Sequence, residues 1–214
     1  GVSYKMDGKY FEEYADQMDE ALAAAKNADA IILCLGENSY TETPGNLSDL
    51  YLSDLQTELA QKLAATGKTI ILVLNEGRPR IISKFEQKMA AIVQTYLPGN
   101  FGGNALADIL YGDVNPSGKL SATFPQNVGQ IPLYYNHKNT GRPLAEGKWF
   151  SKFRSNYLDV SNEPLYPFGY GLSYTNFEYS DFTLSATQLK GNQKLMATVS
   201  IKNTGAVTGK EVVQ

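Results

Sequence analysis

Three short strand-like runs constrain this chain more than any other feature: the apolar Ala30 to Leu35 and Thr69 to Leu74, and Ala91 to Tyr96. A strand with one wet face alternates polar and apolar residues. A run that is apolar at successive positions suits a strand covered on both faces, as in a parallel sheet. Between the runs the period changes to that of a helix. Residues 11–26 place Phe11, Tyr14, Ala15, Met18, Leu22 and Ala25 on one face. Ser53 and Gln56 read as a capping box opening a helix that carries Leu55, Leu59 and Leu63 and closes at Gly67. Ile81 to Lys88 reads as a short helix and Ala105 to Leu110 as another. Strand and helix alternating through short connections predict an α/β fold, a layered α/β sandwich with a mostly parallel sheet.

The text changes after Pro125. Residues 126–177 are rich in Tyr, Asn, Gly and Pro with little periodicity, and are expected to wrap the same domain as residues 1–125. From 178 to 214 the pattern turns all-β. Leu195, Ala197, Val199 and Ile201 alternate with Met196, Thr198, Ser200 and Lys202, and Asn203-Thr204-Gly205 supplies a turn. This is the expected start of a β-sandwich module that the chain does not complete. Gly1 carries no Met or signal-like stretch ahead of it, and Lys210 to Gln214 reads like the opening of a strand, so the chain is expected to be a piece of something longer.

Composition narrows the chemistry. Hydrophobic residues at 43% can fill a core, while 19 basic against 22 acidic residues leave no basic face for nucleic acid or an anionic membrane. No apolar run is long enough to span a bilayer. The lone cysteine, Cys34, rules out an internal disulfide and a multi-thiolate metal site, and its apolar neighbours predict a buried core thiol. With His137 as the lone histidine, Ser-His-Asp and multi-histidine sites are hard to assemble. His137 itself reads as structural. Carboxylate chemistry is what remains.

Ligands of open α/β sheets bind beyond the carboxyl ends of the strands. Three polar loops should converge there: Gly36 to Asn46, Asn75 to Arg80 and Pro98 to Asn104. The first holds Glu37, Tyr40 and Glu42 among amides and hydroxyls, a set suited to a hydroxylated ligand. From composition alone, Glu37 and Glu42 read first as solvated loop carboxylates, and Tyr40 equally as a packed loop tyrosine. A flavodoxin-like binding domain would need a Gly-rich phosphate loop where this chain has a long acidic one.

Several motifs in order carry a resemblance: Gly36-Glu37 through Thr43, Asn75-Glu76-Gly77-Arg78-Pro79, Leu97-Pro98-Gly99 and Gly112 to Leu120. Ile131 to His137, Thr140-Gly141-Arg142-Pro143 and Pro164 to Tyr174 extend it. Over about residues 28 to 180 the chain resembles the C-terminal α/β sandwich domain of family 3 glycoside hydrolases, in the β-glucosidase branch. Residues 178–214 resemble the start of that family's fibronectin type III-like domain. The resemblance implies part of a retaining β-glycosidase acting on terminal non-reducing β-D-glucosyl residues, with xylosides or arabinosides as further candidates. It also implies that the N-terminal part of the domain and a barrel domain bearing an Asp nucleophile lie outside this chain.

On the same resemblance Glu42 takes the position of the general acid/base, while Glu37 and Tyr40 are expected to orient or stack on substrate. A lone fragment with Glu42 is then an incomplete site. The expected partners are a β-linked glucoside or oligosaccharide and the barrel domain of the same protein, with no cofactor, no metal, no nucleic acid and no membrane insertion. The location implied is periplasmic or extracellular. The alternative reading is a non-catalytic carbohydrate-binding or interaction module.

Overall fold

The computed structural model describes residues 13–37, 45–139, 141–145, 147, 148 and 150–214. They fall into two units, one of residues 1–102 with 122–168 and the other of residues 103–121 with 169–214.

The first unit holds the three strand-like runs as a parallel sheet. β1 (Ala30–Gly36), β2 (Thr69–Asn75) and β3 (Ala91–Gln94) lie in the order β1-β2-β3, with Leu33 opposite Leu72 and Val73 opposite Val93. α1 (Met18–Lys26) precedes β1, and α2 (Asp54–Ala64) joins β1 to β2. Ala25 of α1 and Ala60 and Leu63 of α2 close one face of the sheet over Leu33, Leu35, Ile70, Leu72 and Leu74.

The expectation of strands covered on both faces holds for β2 and not for β1. Ile70, Leu72, Val73 and Leu74 of the middle strand are all buried. On the outer strand β1, Leu33 and Leu35 enter the core while Ile32 is 54% exposed. Cys34 shares that outward face and is exposed, so the expected core thiol is corrected. Successive side chains of a strand point to opposite faces, and a strand paired along one edge lacks the second neighbour that shields both.

α2 begins as the capping signal predicts. Ser53 Oγ accepts the Gln56 N–H at 3.2 Å. The other half of the box does not form, because the Gln56 amide reaches across to Gly36: the Gly36 N–H donates to Oε1 (2.9 Å), and Nε2 donates to the Gly36 carbonyl (3.0 Å). Ser53→Ala is expected to lower stability by about 1 kcal/mol in urea unfolding. An unchanged midpoint would mean that the cap contributes nothing here.

The predicted helix over Ile81 to Lys88 reduces to one 3₁₀ turn, Glu86–Lys88. Ile81 is taken instead by a parallel bridge to Tyr51, with its N–H donating to the Leu50 carbonyl at 2.8 Å. Residues 122–168 run along the same unit. Gln130, 2% exposed, accepts the Gln126 N–H (2.7 Å) and donates to the carbonyls of Ser161 (2.8 Å) and Glu163 (3.1 Å). Ser83 Oγ donates to the Gln126 carbonyl at 2.8 Å, and the Tyr166 hydroxyl donates to Glu86.

The second unit contains α3 (Gly102–Tyr111), which starts one residue ahead of it, and an antiparallel pair, β4 (Phe177–Leu184) with β5 (Ala197–Asn203). Asn115 organises it: its Oδ1 accepts from Ser173 Oγ (2.9 Å) and the Tyr174 N–H (2.8 Å), and its Nδ2 donates to the Thr208 carbonyl (3.1 Å). The β4–β5 pair is the partial all-β segment that the alternating residues predict. No helix among the described residues is long and apolar enough to cross a membrane.

Candidate functional site

The carboxyl ends of β1 and β2 lie side by side, with Gly36 opposite Asn75 in the parallel register. Gly36 has φ of +151°, and a Cβ there would sit 2.0 Å from the Asn75 carbonyl oxygen. A residue without a Cβ is what lets the two strand ends approach. The Glu37 N–H then donates to the Asn75 carbonyl at 3.1 Å, carrying the pairing one residue beyond the sheet.

This register aims the Glu37 carboxylate at the turn after β2. Its Oε1 accepts from Arg80 Nη1 (3.0 Å) and forms an ion pair with Arg78 Nε (3.1 Å), and its Oε2 accepts the Gly77 N–H at 3.0 Å. The Glu37 side chain is 4% exposed and that of Arg80 13%. Shielded from water and bonded by charged donors, this pairing is stronger than a surface ion pair. The arrangement commits both oxygens of Glu37 to protein donors.

Arg80 extends the cluster. Its Nε donates to the Leu50 carbonyl at 3.0 Å and its Nη2 to the Tyr51 carbonyl. Its own N–H donates to Glu76 Oε1 at 3.2 Å. One guanidinium thereby joins the chain on both sides of residues 38–49.

Glu76 is completely buried, and its Oε2 has no hydrogen-bond partner among the described residues. Burial raises its pKa from 4.5 to about 7, and the nearby Glu37 charge adds to that rise. The Arg80 N–H and the Arg80 charge oppose it without cancelling it. At neutral pH the Glu76 carboxyl is therefore substantially protonated.

Of the residues that the sequence singled out, Glu37 lies in this cluster, while Glu42 and Tyr40 lie outside the described residues. Arg80, Arg78 and Glu76 are not among the candidates that the sequence singles out. A Glu directly after one strand facing Arg-Pro-Arg after the next is the signal that points to them. Among the described residues, no group of three His, Cys, Asp or Glu side chains is placed to hold a metal ion.

Comparison with known proteins places these observations in a family. The model of the glycosyl hydrolase family 3 C-terminal domain matches residues 5–174. The periplasmic beta-glucosidase of Salmonella typhimurium is 46% identical over 198 residues, 92% of this chain and 26% of that protein. A beta-xylosidase of Formosa agariphila is 39% identical over 91% of this chain and 26% of its own length. Among solved structures, the beta-glucosidase of Listeria innocua in complex with glucose superposes with a TM-score of 0.85 at 39% identity, covering 94% of this chain and 28% of that one. The chain thus spans about a quarter of the length of these curated relatives.

Proposed function

Since the chain belongs to the glycosyl hydrolase family 3 C-terminal domain family, we propose that it is part of a retaining β-glycosidase that removes terminal non-reducing β-D-glucosyl residues. In this reading Glu42 is the general acid/base, and the nucleophile is an Asp of a barrel domain outside this chain. The observation that supports the reading is that Glu37, just beyond β1, and Leu50 and Tyr51, which flank residues 38–49, are all bonded to Arg80. A loop fixed at its base can present a carboxyl to a second domain. The β-glucosidase and β-xylosidase relatives support a β-linked pyranoside as substrate, with the glucoside favoured by the Salmonella and Listeria proteins. The name of the Salmonella protein supports a location in the periplasm or outside the cell.

The chemistry asks for two carboxyls about 5 to 5.5 Å apart, one attacking the anomeric carbon while the other protonates the departing oxygen. The second then removes a proton from water to release the sugar. Glu37 is committed to two guanidiniums and a backbone N–H. In this reading it supports the loop, and Glu42 is left to exchange the proton. Tyr40, two residues earlier, would line the sugar.

The test uses the intact protein with Glu42→Ala, supplied with dinitrophenyl β-glucoside and azide. Formation of β-glucosyl azide is expected, because the small anion can attack the covalent sugar without a general base. An α-configured product would contradict retention, and no azide product would remove the acid/base role from Glu42.

A further inference from the structure

We propose that Arg80 is a positioning residue for catalysis, acting by tying together the two stems of the loop that carries the acid/base. The inference rests on Glu42 filling that role. Its basis is the set of acceptors around one side chain. Arg80 Nη1 bonds Glu37 Oε1 before the loop, and Nε and Nη2 bond the carbonyls of Leu50 and Tyr51 after it. A guanidinium is planar with its donors in a fixed fork, so three acceptors on it have their relative positions set together. The backbone beside it repeats the constraint, through the Ile81 N–H on the Leu50 carbonyl and the Arg80 N–H on Glu76.

The two stems do not depend on Arg80 equally. Without it, Glu37 keeps Arg78 Nε and the Gly77 N–H, so the leading stem stays tied. The trailing stem loses its two side-chain donors and keeps the Ile81 bond and bridge. Removing Arg80 should therefore leave the domain folded and let the trailing stem shift. A shift of about 1 Å at a reacting group can cost on the order of 100-fold in rate. Such a shift harms only the steps in which Glu42 gives or takes a proton, and of these kcat/KM reads the one that needs the proton donor.

The experiment compares Arg80→Met and Arg80→Lys in the intact protein, each with and without Glu42→Ala. The substrates are phenyl β-glucoside, a poor leaving group, and dinitrophenyl β-glucoside, which departs without protonation. Arg80→Met is expected to lower kcat/KM for the phenyl substrate by roughly 10- to 100-fold and to leave that for the dinitrophenyl substrate unchanged. Lysine, able to reach one acceptor but not hold three, should restore part of the loss. In the Glu42→Ala background, Arg80→Met should cost nothing further on the phenyl substrate.

Equal losses on both substrates, no loss on either, or an undiminished loss in the Glu42→Ala background would overturn the proposal. If Arg80→Met fails to fold, the Lys variant carries the same comparison. A Glu42→Ala variant without leaving-group dependence would overturn the acid/base reading and this inference with it. Dependence for Glu42→Ala but none for either Arg80 variant would remove this inference alone.

Discussion

Replacing Glu42 with alanine in the intact protein is expected to lower kcat/KM for phenyl β-glucoside by about 10² to 10⁴-fold, the range a general acid contributes. That for dinitrophenyl β-glucoside should change little. The distinction follows from charge on the departing oxygen. A dinitrophenolate is stable as an anion, so its glycosidic bond breaks without a proton, whereas a phenolate of ordinary basicity needs one in the transition state. With the base also missing, water attacks the covalent intermediate slowly. kcat for the dinitrophenyl substrate should therefore fall while its kcat/KM holds, and azide should raise kcat again. Steady-state kinetics on the substrate pair, with and without azide, reads all of this. Comparable kcat/KM for variant and parent on both substrates would transfer the role to another carboxyl.

Glu76 gives the second large effect, on stability. Its carboxyl titrates at about 7 in the fold against 4.5 for an ordinary glutamate. Between those values the folded chain holds a proton that the unfolded chain has released. The stability this group contributes is complete below pH 4.5 and is lost as pH rises through 7. At about 1.4 kcal/mol per pH unit, the loss is about 3 kcal/mol. Glutamine keeps the shape and the acceptor for the Arg80 N–H but carries no charge. Glu76→Gln should thus match the parent near pH 4 and exceed it by about 3 kcal/mol at pH 8. Urea unfolding of both chains across that range reads the difference. Parallel pH profiles would mean that Glu76 is ionised in the fold, with a partner for its second oxygen.

These two carboxyls divide what could be read from residue order. Glu42 is proposed through the resemblance that an ordered set of motifs carries, and it lies outside the described residues. Glu76 was passed over as a loop residue. Its neighbours Gly77 and Pro79 describe a turn, and nothing local says that the turn is sealed from water. The same limit appears at Cys34, which sits in an unbroken apolar run and is nonetheless exposed. Whether Ile32 and Cys34 are covered depends on β1 being the outer strand, and strand order is not written in any one strand. Ser53 is the opposite case, since its cap bonds an N–H three residues away and was legible as a local signal.

The sequence by itself determined the α/β class, the parallel strands, the helix α2 between the first two of them, the alternating β4–β5 pair and membership in the family. Each of these rests on periodicity, caps or motifs that act over a few residues to a few tens of residues. Tertiary structure alone decided which strand is buried on both faces, that Gln56 turns away from its capping box to Gly36, and that Arg80 gathers Glu37, Leu50 and Tyr51 around one guanidinium. It also decided that burial raises the Glu76 pKa. The physical reason is common to all four. Burial and the meeting of charges set these properties, and both are fixed by groups 20 to 43 residues apart in the chain that come into contact when the strands pair in register.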